Sequence, residues 1–154
     1  MLTDDQIALI CEEKRQNPSV QGILLTGSYA YGKPRPDSDL DLRIVTGGGV
    51  SWAERDTWRF GVRIEAYCQP PEMIRAHLAR CRETGIESTV HGWAHGTVLY
   101  DPAGIVASLQ SEARDIWQMG PYHGTWKKGS HHWSRRLRYK ACSLTRSIGS
   151  LLAR

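Results

Sequence analysis

No stretch of this sequence approaches 18 consecutive apolar residues, so it contains no candidate membrane-spanning helix. The opening residues, Met1-Leu2-Thr3-Asp4-Asp5-Gln6, lack an apolar core and carry two acids, which speaks against a secretory signal here. No Cys-x-x-Cys pair occurs. Cys11, Cys68, Cys81 and Cys142 are scattered, so a disulfide framework or zinc knuckle is not expected, and reduced thiols in a cytoplasmic protein are. Internal repeats and low-complexity segments are missing as well. Hydrophobic residues make up 40% and charged residues 23%, the balance of an ordinary globular chain. A chain of 154 residues buries about 70% of its unfolded surface, enough to fold without staples.

Acids are absent from Lys127 to Arg154, where eight of the 20 basic residues fall. All 16 acids therefore lie in the first 126 residues with the other 12 basic ones, although the whole chain carries +4. Such segregation suggests an anionic contact for the tail, either nucleic acid, nucleotide or an acidic partner; the alternative is a solvated helix face.

Thr3-Asp4-Asp5-Gln6 has the spacing of a capping box, which predicts a first helix to about Gln16, before Asn17-Pro18. Gly22 to Thr26 is a short apolar run ending at Gly27-Ser28, which predicts a buried strand. Gly32 to Ser38 is a Gly/Pro-rich turn region in which Asp37 is expected to serve the turn. Asp39 to Val45 alternates and predicts a half-buried strand. Ser51 to Thr57 is polar and without a clear pattern. Trp58 to Cys68 alternates and reads as one further strand, with Phe60, Val62, Ile64, Ala66 and Cys68 on its apolar face. A helix should start at Pro71. A short helix over Thr89–Ala94, a strand over Thr97–Tyr100, a turn at Asp101 and a helix over Ile105–Met119 follow. A last basic helix is expected over Ser130–Ala153. The expected class is α/β (α+β), a small mixed sheet of about four to five strands flanked by helices.

The chemistry concentrates between Gly27 and Asp41, with Glu65. Asp39 and Asp41 stand at i and i+2 in a strand and so point to one side of the sheet. Glu65 lies on the polar face of the next predicted strand. Two carboxylates about 4 Å apart repel by about 4 kcal/mol at an effective dielectric near 20. They tolerate that by holding a proton or a cation. Carboxylate oxygens without neighbouring Cys or His suit a hard divalent ion such as Mg²⁺. A Gly-Ser corner lets a backbone N–H and a hydroxyl approach a phosphate. Together these parts suit phosphoryl or nucleotidyl transfer.

At these residues the chain resembles the nucleotidyltransferase superfamily of DNA polymerase β type, in its minimal and antibiotic-modifying members. The matching pattern is Leu24-Leu25-Thr26-Gly27-Ser28, ten intervening residues, Asp39-Leu40-Asp41-Leu42, and then Ile64-Glu65-Ala66. The resemblance covers roughly residues 5–118. It implies a nucleotidyltransferase fold, with a catalytic domain over 1–120 and a basic helical segment over 121–154. It implies an enzyme that transfers NMP from an NTP, with ATP the expected donor, to a hydroxyl of a small molecule of aminoglycoside type or of a protein. Asp39, Asp41 and Glu65 would be catalytic and hold Mg²⁺ or Mn²⁺; Gly27, Ser28, Lys33 and Arg35 would face the triphosphate. The other readings are an antitoxin-type module that binds a helical toxin partner, and a nucleic-acid-binding module.

Each residue has a plainer alternative. Glu65 can serve an ion pair with Arg63 or Arg43, Ser28 can cap a helix, and His131-His132 has no third ligand at suitable spacing. Trp117, Trp126 and Trp133 suit core packing or base stacking. The pattern departs from many small relatives at Tyr31, where they carry an Arg. It also shows only about one helix after the core, where antibiotic-modifying relatives carry a helical domain. The apolar stripe of the last helix, with Leu144 and Ile148, then predicts a homodimer or a helical protein partner.

Overall fold

A computed structural model describes residues 1–128. The expected basic helix over Ser130–Ala153, its dimer or partner surface, His131-His132 and Trp133 lie outside the described residues.

Helix α1, Asp4–Arg15, opens on the expected capping box: Thr3 accepts from the Gln6 backbone N–H at 3.3 Å, and Gln6 Oε1 accepts from the Thr3 N–H at 3.0 Å. Two of the helix's orphan donors are thereby satisfied. Strand β1, Val20–Thr26, runs into a single turn, α2, Gly27–Ala30. Strand β2, Leu40–Thr46, follows, then β3, Trp52–Arg59, and β4, Val62–Gln69. Helix α3, Pro71–Thr84, and helix α4, Ser88–His95, lead to β5, Thr97–Tyr100, and α5, Ile105–Met119. Asp101 does more than turn the chain. Its carboxylate accepts from the N–H groups of Val106 at 3.0 Å and Ala107 at 2.9 Å, at the start of α5.

The five strands form one sheet in the order β3-β4-β2-β1-β5, parallel only between β2 and β4. This mixed sheet flanked by helices is the expected class. On one face, Ile23, Leu25, Leu42, Ile44, Ile64, Ala66 and Cys68 pack with Ile7, Ile10 and Cys11 of α1. On the other, Leu24 and Val45 pack with α3, α4 and α5 through Leu78, Trp93 and Leu109. Those helices gather over β1 and the far end of β2, leaving Asp41 and Arg43 of β2 and Arg63, Glu65 and Tyr67 of β4 half-buried on that face.

The single strand expected over Trp58–Cys68 is instead a hairpin. The chain turns at Phe60 and Gly61, with φ of +51° and +75°, and pairs Arg59 with Val62. Two successive positive φ values are the signature of the tight hairpin turn that matches strand twist. Phe60 is therefore 54% exposed at the turn rather than on the apolar face. The residues expected to be patternless, Ser51 to Thr57, supply most of the edge strand β3. Glu54 of β3 pairs with Lys14 and Arg59 with Glu13, both on α1. Charged partners fill positions that would otherwise show apolar alternation.

Candidate active site

Gly27 follows β1 with φ of +72°, a conformation that suits glycine. A Cβ there would lie 3.2 Å from Cγ of Asp41 and closer still to its Oδ2. The Asp41 carboxylate thus sits against the corner that ends β1, and only a residue without a side chain leaves it room. Register explains the approach. Asp41 is paired with Thr26 on β1 and with Glu65 on β4, so the first residues of β2 lie between the Gly-Ser corner and the third acid.

Burial pushes the Asp41 carboxyl up to about 6; nearby Arg43 pulls it down, while Glu65 and Asp39 push it further up. Among the described residues the Asp41 carboxylate accepts no hydrogen bond and makes no ion pair. It is a half-buried acid close to two others and without a direct cationic partner, an arrangement that favours a proton or a cation.

Asp39 lies just before β2 and is turned onto Arg63. The Arg63 Nε donates to Asp39 Oδ1 at 3.1 Å, and its Nη2 donates to Oδ2. The same Nη2 is 3.2 Å from Glu65 Oε1. The Glu65 side chain is 14% exposed, against 30% for Asp39 and 35% for Arg63, so Glu65 is the deeper acid. The ion pair considered for Glu65 therefore exists, but Arg63 meets Asp39 more closely. With Asp39 so engaged, no three His, Cys, Asp or Glu side chains are grouped as metal ligands among the described residues. The arginine was visible in the sequence two residues before Glu65, but its reach to Asp39 depends on the parallel β2–β4 register.

Ser28 lies inside α2, not at its cap, and its hydroxyl makes no hydrogen bond among the described residues. Lys33 and Arg35 sit on the exposed loop that follows. Arg35 faces Asp37 at 3.4 Å, and its N–H donates to Ser38 Oγ at 2.8 Å. Neither cation contacts Asp39, Asp41 or Glu65 among the described residues, and Asp37 stays with the turn. Further along the same sheet face, Arg43 and Arg55 flank the ring of Tyr67 at 4.6 and 5.6 Å.

A ring cluster not foreseen from the sequence adjoins the corner. Tyr31 Oη and His91 Nδ1 are 3.1 Å apart, and the His91 and His95 rings lie 4.4 Å apart. Both imidazoles meet Trp117 edge-on at 5.1 and 5.3 Å, and Trp117 stacks on Trp126 at 5.5 Å. These two tryptophans thus pack on each other. Burial lowers the His91 pKa, His95 lowers it further, and Glu87 opposes both. A separate hollow lined by Val20, Gln21, Tyr100 and Ser108 opens at the other end of β1, about 20 Å away at 3.3 Å per strand residue. No carboxylate or cation lines it.

Residues 5–71 match the family model described as a nucleotidyltransferase domain. That span runs from α1 through β4 and contains the Gly-Ser corner and all three acids. Among solved structures, a nucleotidyltransferase-like protein from Exiguobacterium sibiricum is similar with a TM-score of 0.54 and 17% identity. The match covers 71% of this chain and 38% of that one, so the chain spans well under half of that protein. A toxin–antitoxin structure with AMP-PNP gives a TM-score of 0.44 at 14% identity, covering 75% of this chain and 88% of that one. A mutant of the toxin–antitoxin MntA-HpeT gives 0.42 at 12%, covering 77% and 89%. These two scores are too low to bear on function. No curated protein matches the sequence.

Proposed function

We propose that this chain, whose residues 5–71 match the nucleotidyltransferase domain, moves NMP from a nucleoside triphosphate to an acceptor hydroxyl. ATP is the first donor to try, and Mg²⁺ or Mn²⁺ is the cofactor. The observation that carries this reading is the Asp41 carboxylate against a side-chain-free Gly27, with Glu65 as its register partner on β4. An acid pressed against the corner where a phosphate would bind raises the local negative charge. That is unfavourable unless a cation joins them.

The donor set suits a hard divalent ion in kind, since its members are carboxylates and no thiol joins them; Asp39 would first have to leave Arg63. Asp39, Asp41 and Glu65 would hold it. Bound there, such an ion supplies charge neutralisation at the phosphates and acidifies an attacking hydroxyl. The protein's part is placement. Gly27 and Ser28 offer backbone N–H groups and a hydroxyl to the outer phosphates. Lys33 and Arg35, exposed on the next loop, lie within the same stretch to neutralise the triphosphate tail. Asp41, held against Gly27, would offer its carboxylate at the corner that takes the phosphates. Glu65 serves the acceptor side from its deeper position. The rate gain in such a site comes from positioning and preorganised charge. The described cysteines, Cys11, Cys68 and Cys81, are free and buried, which supports the cytoplasm as the working compartment. Among the described residues no helix is long and apolar enough to cross a membrane.

Incubation with radiolabelled ATP, GTP, CTP or UTP and Mg²⁺, with an aminoglycoside panel or host lysate, tests the reading. Label should pass to an acceptor only with divalent metal, and not with Asp39→Asn/Asp41→Asn. A small labelled product identifies a small-molecule acceptor; a labelled band identifies a protein one. Nucleotide binding without any transfer would overturn the transferase reading and leave a binding module.

A further inference from the structure

We infer that Arg63 is the resident counter-cation of the acidic corner, holding Asp39 and Glu65 until a divalent cation displaces its guanidinium. The inference rests on the metal-site reading given above and adds a residue and an order of events to it.

Three observations carry it. First, Arg63 meets Asp39 through two nitrogens and also lies 3.2 Å from Glu65. It therefore occupies two of the three carboxylates that would hold the metal. Second, Asp41 is left out of this arrangement, although it is the acid wedged against Gly27. The arginine thus neutralises Asp39 and Glu65 and does not reach Asp41. Third, the Arg63 side chain is 35% exposed, so it can leave toward solvent without unpacking the core. Burial of Leu40, Leu42, Ile64 and Ala66 on the opposite sheet face holds the backbone at this point whichever way the arginine turns.

The residue type suits the task. A planar guanidinium matches a carboxylate through two parallel N–H groups, which an ammonium does not. At i−2 from Glu65 it stands on the same face of β4. Without a cation, three acids would face one another across the β2–β4 ladder. With Arg63 in place that repulsion is relieved at Asp39 and Glu65, and the resting protein keeps its strands in register. A dication must then offer the carboxylates more than the guanidinium does. Metal bound without nucleotide should be weak, and the anionic triphosphate should strengthen it by adding oxygen ligands. Arg63 is in these terms a positioning residue, since it acts through Asp39 and Glu65.

Mn²⁺ titration of the full chain, followed by electron paramagnetic resonance without nucleotide, tests this. Arg63→Gln should tighten Mn²⁺ binding about fivefold, the factor that corresponds to about 1 kcal/mol for one partly exposed ion pair. Arg63→Lys should fall between, because a point charge holds the two acids less well. The melting temperature without metal should fall in Arg63→Gln, and the rise on adding Mn²⁺ should be larger than in the wild type. A merely structural arginine would lower the melting temperature and leave Mn²⁺ affinity unchanged or weaker, and that result overturns the inference. If Arg63→Gln does not fold, Arg63→Lys decides alone, and unchanged affinity there counts against it. Mn²⁺ binding in the wild type without gain in either variant overturns this inference only. No Mn²⁺ binding in any form, even with nucleotide added, overturns the metal-site reading as well.

Discussion

Asp41→Asn should make the metal-free protein more stable at neutral and basic pH. Burial, with Glu65 and Asp39 nearby, holds the Asp41 carboxyl at about 6 in the folded chain, against an ordinary value of 3.8. Between those two pH values the folded form keeps a proton that the unfolded chain has lost. Stability therefore falls as pH rises through about 4 to 6, and the cost is complete above that window. Two pKa units correspond to about 3 kcal/mol, an upper bound because the half-buried carboxyl is partly screened by solvent. Asparagine keeps the shape that fits over Gly27 and removes the charge. The variant should gain about 1–3 kcal/mol at pH 8, or about 3–9 °C in melting temperature for a chain of this size. Near pH 4 the folded wild type keeps its proton, and most of the gap should close. Urea or thermal unfolding in EDTA at pH 4, 6 and 8 reads this directly. Saturating Mg²⁺ should stabilise the wild type more than the variant, because a ligand for the folded state adds its binding free energy. Equal stability of the two proteins at pH 8, or a gap that persists at pH 4, would refute the reasoning.

Glu65→Gln should lower turnover far more than triphosphate affinity if Glu65 serves the acceptor side; steady-state rates beside calorimetric nucleotide binding separate that from an ion-pair role with Arg63, for which turnover would hold and only stability would fall. Phe60→Asn should stabilise the β3–β4 hairpin by about 1 kcal/mol, since Phe60 holds φ of +51° while 54% exposed, and urea midpoints will show it. Gly27→Ala should cost more than about 1 kcal/mol from its φ of +72° alone and should also displace the Asp41 carboxylate, so calorimetry with Mg²⁺ and ATP should show binding lost while circular dichroism still reports a folded sheet.

How much was legible in advance varies with how local the cause is. The capping box at Thr3–Gln6 and the alternation of Leu40, Leu42 and Ile44 act within a few residues, and both appear as read. The Gly27-Ser28 corner and the Asp39/Asp41 spacing are also local patterns, although only Asp41 lies within β2. Strand β3 was not legible, because its charged residues Glu54 and Arg59 are satisfied by Lys14 and Glu13 of a distant helix, so no apolar period marks them. Nor did Phe-Gly announce a turn, because the usual signal is Asn or Asp before the glycine. The bond from Arg63 to Asp39 needed the parallel pairing of β2 with β4, which brings together residues on either side of an entire hairpin strand. The rings of Tyr31, His91, Trp117 and Trp126 met only because α4 and α5 pack across β1 beside the Gly-Ser corner. By itself, then, the sequence determined the acids, their spacing and the Gly-Ser corner, because backbone periodicity acts over a few residues. Only the tertiary structure decided which cation those acids hold and what flanks them, because burial and strand register join residues that chain distance keeps apart.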